Sequence, residues 1–187
     1  MSSFLKEIDN DWCLFLDRDG VINKRIFGGY IRRWEEFEFL PGVKDALNTF
    51  SKVFKYIFII TNQQGIGKSL MSADALERIH TKMIAEIVES GGRITKVYYC
   101  PDLAINPNNC RKPSPYMAEK TKQDFPELDF NKSVFIGDSV SDILFAKNTG
   151  MYSVLHDSPE KVQIDADMMV GSLIEFANIL KTRYKVI

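Results

Sequence analysis

A short apolar run that stops abruptly in polar residues, followed by an amphipathic helical stretch, recurs along this chain and constrains its fold more than any other feature. Cys13-Leu14-Phe15-Leu16 stops at Asp17-Arg18-Asp19-Gly20, and Tyr56 to Ile60 stops at Thr61-Asn62. Lys96 to Cys100 runs into a polar loop that lasts to Pro113, Ser133 to Gly137 stops at Asp138, and Met151 to Leu155 makes a fifth run. Helices are expected from Pro41-Gly42 to about Ser51, from an N-cap at Ser72 to Gly91-Gly92, from about Ser114 to Asp124, and from Val140 to Asn148 before Gly150. Met168 to Val170 reads as a short edge strand ahead of a last helix from Ser172 to about Thr182. Strands that are apolar throughout, without alternation, belong in a parallel sheet covered on both faces. The expected fold is therefore α/β, a Rossmann-like three-layer αβα sandwich with a mostly parallel sheet.

At 187 residues, with 45% apolar and 26% charged residues, one domain over 1–187 is expected, with a core of ordinary size. A net charge of −1 gives no reason to expect a nucleic-acid or membrane-surface partner. No apolar run approaches the roughly 20 residues needed to cross a bilayer. Residues 1–12 carry Lys6, Glu7, Asp9 and Asp11 without an apolar stretch, so no secretory signal is expected. Cys13, Cys100 and Cys110 are too few for a disulfide scaffold, which points to a reduced, cytoplasmic setting.

In parallel sheets, ligands bind outside the carboxyl ends of the strands. Those ends carry Asp17, Asp19, Thr61 and Asp138, and the loop after the third strand adds Arg111 and Lys112. Each piece alone has an ordinary reading, since Asp-x-Asp-Gly suits a turn and a lone lysine suits the surface. Gathered at one sheet edge, unpaired carboxylates are costly, and a divalent cation resolves the repulsion. Carboxylate oxygens without His or Cys suit Mg²⁺, which leaves coordination positions for phosphate oxygens. Gly65-x-Gly67-Lys68-Ser69 falls short of a P-loop because Asn62 stands where the leading glycine is required. His80 and His156 are expected at the surface, without catalytic roles.

The segments Asp17-Arg18-Asp19-Gly20-Val21-Ile22-Asn23, Ile60-Thr61-Asn62-Gln63-Gln64-Gly65, Cys110-Arg111-Lys112-Pro113 and Gly137-Asp138-x-x-x-Asp142 together resemble the haloacid dehalogenase superfamily. Within it they resemble the branch of heptose bisphosphate and histidinol-phosphate phosphatases, over about residues 12–155. The resemblance implies that Asp17 is a nucleophile forming an aspartyl-phosphate and that Asp19 serves as acid and then base. Thr61 and Lys112 would hold phosphoryl oxygens. Asp17, the Asp19 carbonyl and Asp138 would hold Mg²⁺, with Asp142 behind them orienting Lys112.

The intervals from Asp19 to Thr61 and from Thr61 to Lys112 leave no room for a cap domain. Specificity is then expected from loops at Asn23–Trp34, Asn62–Leu70 and Pro101–Arg111. Gly29-Tyr30 and Asn62-Gln63-Gln64 match elements that contact substrate in the heptose enzymes, and Arg111 would grip a second anionic group. That favours a sugar bisphosphate as the small-molecule partner, with histidinol phosphate or another small phosphomonoester as the alternative. A catalytically silent relative would be free to lose Asp17 or Asp19, and this chain keeps both. Relatives close the third loop with zinc through Cys-x-His and Cys-x-Cys, where this chain has Cys100-x-Asp102 and Asn108-x-Cys110. Two soft ligands of four remain, so no structural zinc is expected and the two cysteines are expected as reduced neighbours. A site complete in one chain is compatible with a monomer.

Overall fold

The computed structural model describes residues 3–157 and 161–184. Six strands form one sheet: β1 (Cys13–Leu16), β2 (Tyr56–Asn62), β3 (Lys96–Cys100), β4 (Ser133–Gly137), β5 (Tyr152–His156) and β6 (Met168–Val170). Their order is β3-β2-β1-β4-β5-β6, and every pairing is parallel. The helices are α1 (Val43–Val53), α2 (Gln64–Gly67), α3 (Ala73–Glu89), α4 (Tyr116–Asp124), α5 (Val140–Thr149) and α6 (Leu173–Tyr184).

Side chains alternate across a strand, so each apolar run supplies both faces of the sheet at once. Leu14, Leu16, Ile57, Ile59, Val134 and Ile136 join one core with Leu47 and Phe50 of α1, Met83 and Ile87 of α3 and Phe176 of α6. Phe15, Phe58, Ile60 and Phe135 join the other with Met117 of α4 and Phe145 of α5. Burial on both faces explains why the strands show no polar alternation.

Helix ends follow local chemistry. The Ser72 side chain accepts from the Ala75 amide at 3.1 Å to start α3, and α5 ends at Gly150 in the left-handed region, φ 78°. α4 begins at Tyr116, two residues later than expected, and α1 continues two residues further, to Val53. The four-residue α2 had no periodicity to announce it.

Between β1 and β2 the chain forms only a 3₁₀ turn at Trp34–Glu36 and α1, and between β2 and β3 only α2 and α3. No cap is inserted among these described residues. No helix among the described residues is long and apolar enough to cross a membrane.

The strand order reverses at β1, whose neighbours are β2 on one side and β4 on the other. That reversal opens a crevice at the carboxyl ends of β1, β2 and β4.

Candidate active site

β1 and β4 pair with Leu16 opposite Ile136, so Asp17, one residue on, and Asp138, two residues on, leave the sheet at the same edge. The Asp17 amide continues the ladder, donating to the Ile136 carbonyl at 3.0 Å. Asp17, Asp138 and Asp142 are all buried, and one carboxylate oxygen from each lies within 4.8 Å of the others. Gly20 makes this closeness possible: at φ 95°, a Cβ there would stand 1.9 Å from Asp138 Oδ2.

Two cations answer the three carboxylates. Lys112 Nζ lies 2.8 Å from Asp17 Oδ1 and 2.6 Å from Asp142 Oδ1, and it donates to the Ile60 carbonyl at 2.8 Å. Arg25 reaches Asp138 Oδ1 at 2.9 Å and Asp17 Oδ2 at 3.8 Å. Burial pushes Asp17 up to about 6 despite Lys112, with Asp142 adding to the rise. Asp138 is pushed up to about 8 by burial and by Asp17, against the pull of Arg25. Lys112 sits above its usual range because Asp142 and Asp17 outweigh the burial that disfavours its charge. A cluster of carboxylates that resists ionisation, built only from oxygen donors, fits a hard divalent cation.

Asp142 organises the loop as well as the lysine. Its Oδ2 accepts from the Asp138 amide at 3.2 Å, the Ser139 amide at 3.1 Å and the Ser139 hydroxyl at 2.6 Å. This capping box ties the start of α5 to the end of β4.

Asp19 faces the same crevice, with both oxygens engaged. Oδ1 accepts from Arg18 NH2 and Asn23 Nδ2, each at 2.9 Å, and Oδ2 from Arg18 NH2 and Gln63 Nε2, each at 2.9 Å. Although its surroundings disfavour charge, Arg18, Asn23 and Gln63 hold Asp19 below the ordinary carboxylate range.

The cleft above these groups has a volume of about 460 Å³. All three expected loops reach its wall, through Gly29 and Tyr30, through Asn62, Gln63 and Lys68, and through Arg111. Asn62 also clamps the main chain of Lys112, accepting from its amide at 3.0 Å. Gln63 is buried and donates to Thr61 Oγ1 at 3.0 Å as well as to Asp19. Gln64 faces the loops: it donates to the Tyr30 hydroxyl at 3.1 Å and accepts from the Ala104 amide at 2.6 Å. Arg111 is half-buried, and its NH1 nitrogen is buried with no hydrogen-bond partner among the described residues.

Three expectations are corrected. Cys100 and Cys110 are joined in a disulfide and are not reduced neighbours, because the loop folds back until their Cα atoms are 5.6 Å apart. Asp102, whose carboxylate lies beside the sulfurs, accepts from the Cys110 amide at 3.0 Å. His80 and His156 are buried at 3% and 6% exposure, not at the surface. α3 turns His80 inward with Leu76, Ile79 and Met83, and β5 carries His156 into the sheet. The sequence reading also missed Arg25, which nothing local distinguishes and which meets Asp138 from 113 residues away.

Residues 109–166 match the HAD-hydrolase-like family. The chain is 40% identical over 175 residues to the D-glycero-α-D-manno-heptose-1,7-bisphosphate 7-phosphatase of Mycobacterium bovis, covering 90% of each chain. It is 34% identical over 170 residues to the enzyme of the same name from Campylobacter jejuni, covering 91% of this chain and 96% of the relative. Among solved structures, the D,D-heptose 1,7-bisphosphate phosphatase from B. bronchiseptica, complexed with magnesium and phosphate, superposes with a TM-score of 0.83 at 24% identity, over 91% of this chain and 98% of that one. With identity of this extent over nine-tenths of its length, the chain belongs to the heptose-1,7-bisphosphate 7-phosphatase family of haloacid dehalogenase-like phosphatases.

Proposed function

We propose that this chain is a Mg²⁺-dependent phosphatase that removes the 7-phosphate of D-glycero-α-D-manno-heptose 1,7-bisphosphate and leaves the heptose 1-phosphate. Both sequence relatives described above are named for the α anomer, which supports that choice.

Asp19, held as a carboxylate by Arg18, takes up a proton as the phosphate dianion binds beside it. An Asp17 carboxylate oxygen then attacks phosphorus, the bond to the sugar oxygen breaks, and Asp19 gives that oxygen its proton. Asp19 then takes a proton from water, which attacks the aspartyl-phosphate and returns Asp17 and inorganic phosphate. Thr61 and Lys112 hold the phosphoryl oxygens during both steps. Lys112 has three ammonium hydrogens. Its contacts are Asp17, Asp142 and the Ile60 carbonyl, so binding phosphate requires an exchange of partners. Asp17, Asp138 and the Asp19 carbonyl would hold Mg²⁺, whose charge offsets that of the phosphoryl oxygens and of the carboxylates around them. Asp142 keeps Lys112 in place from behind.

The observation that carries the choice of a bisphosphate is Arg111. A buried guanidinium N–H without a partner is costly, and on a cleft wall shared with Tyr30 and Lys68 it is met by a second phosphate. All of these groups come from one chain, which supports a monomer as the acting unit.

The test is Mg²⁺-dependent phosphate release from both anomers of the heptose 1,7-bisphosphate, fructose 1,6-bisphosphate, histidinol phosphate and an aryl phosphate, with Asp17→Asn as the blank. The expected result is a strong preference for the α-heptose bisphosphate with loss of one phosphate. A preference for histidinol phosphate would overturn the role given to Arg111.

A further inference from the structure

Arg18 is the largest fully buried side chain among the described residues, and it carries a charge. A buried guanidinium is stable only when its donors are matched. Nε and NH2 are matched by Asp19, at 3.3 Å and 2.9 Å to Oδ1. NH1 meets His80 Nε2 at 3.1 Å, across 62 residues of sequence. Guanidinium nitrogens only donate, so His80 Nε2 accepts and the ring proton lies on Nδ1. Burial and the Arg18 charge push the ring down to about 3, which keeps it a neutral acceptor.

α3 therefore does more than cover the sheet. Leu76, Ile79, Met83 and Ile87 fix its rotation by packing, and the same face delivers His80 to the guanidinium. The remaining donors on Asp19 come from Asn23 and Gln63, so among the described residues Arg18 is its one charged hydrogen-bond donor, and His80 holds the far end of that partner.

We propose that His80 is a positioning residue for Asp19, acting through Arg18: the neutral imidazole anchors the guanidinium fork so that the Asp19 carboxyl faces the leaving oxygen. The proposal rests on the reading of Asp19 as the group that serves that oxygen.

The test compares kcat/KM for two substrates, because this quantity reports steps up to and including the first phosphoryl transfer. Transfer from the heptose bisphosphate expels a poor leaving group and needs a well-placed acid, whereas p-nitrophenyl phosphate expels a stable phenolate and does not. His80→Phe keeps the bulk but removes the acceptor, and is expected to lose about tenfold or more on the sugar phosphate while changing about twofold or less on the aryl ester. His80→Gln, which offers an amide oxygen to Arg18, is expected to recover most of that loss. Equal losses on both substrates, or no loss on either, would overturn the proposal. If His80→Phe fails to fold, the ¹⁵N shifts of the His80 ring in the wild-type protein decide: an Nδ1–H tautomer supports the relay, and an Nε2–H tautomer or an imidazolium overturns it. Wild-type protein that releases phosphate from neither substrate would refute the phosphatase reading, and the ring tautomer would still report separately on the contact to Arg18.

Discussion

Gly20 sits where the β1 loop passes closest to the carboxylate of Asp138. An alanine there would place a methyl group 1.9 Å from Oδ2 in a backbone conformation of φ 95°, so the loop and the carboxylate must part. Gly20→Ala is expected to cost about 1–3 kcal/mol of stability and to weaken divalent-cation binding by more than tenfold. Calorimetric titration with Mg²⁺ or Mn²⁺, with a thermal melt, measures both. Unchanged affinity would show that Asp138 is not held against this turn. Most residues at this scale were legible because each polar group terminates an apolar run, as Asp17, Thr61 and Asp138 do. Arg25 was not, since a loop arginine acquires its meaning only from the fold that brings it to Asp138. His80 carried a partial signal: it falls on the same helical face as Leu76, Ile79 and Met83, and its polar identity hid what its position implied.

The segment from Pro101 to Cys110 is the element whose character the sequence concealed. Cysteine spacing does not specify pairing, and only the path of the loop brings Cys110 back to the end of β3. The disulfide closes ten residues of chain immediately before Arg111 and Lys112. Loop closure of that length is worth about 2–3 kcal/mol. Cys110→Ser is therefore expected to lower stability by about that amount. It should also raise KM for a bisphosphate more than it lowers kcat, because Arg111 loses its fixed neighbour. In denaturant without reductant, a thiol reagent should find one thiol, Cys13, since the other two cysteines are paired. Three reactive thiols before reduction would contradict the pairing. By contrast, α1 and α3 were legible from their apolar faces and α5 from the Gly150 that ends it, all local properties, whereas α2 is a single turn defined by neighbours such as the Pro101 carbonyl that accepts from the Gly67 amide.

At the scale of the whole molecule, the sheet gathers like charges at one edge and leaves them partly unneutralised. Asp17 at about 6 and Asp138 at about 8 bind protons more tightly in the folded chain than in the unfolded one. Their contribution to stability is present at low pH and is lost as pH rises through those values. Mg²⁺ binds the ionised carboxylates and so relieves the loss. The rise in melting temperature on adding Mg²⁺ should therefore grow between about pH 5 and pH 8, and Asp138→Asn should abolish most of that growth. A Mg²⁺ effect independent of pH would place the cation elsewhere. The parallel order of the strands was readable from their unbroken apolar runs, and the crevice at β1 follows from that order.

The measurement that bears most directly on the central claim is chemical trapping of the nucleophile. The Asp19→Asn variant, slowed in hydrolysis, is mixed with Mg²⁺ and p-nitrophenyl phosphate, whose phenolate leaves without an acid, then quenched with borohydride, which reduces an aspartyl-phosphate to homoserine. Peptide mass spectrometry should find that change at position 17 and nowhere else. Turnover by the wild-type enzyme with no reduced residue, or with reduction at a different carboxylate, would contradict the assignment of Asp17 as the group that attacks phosphorus.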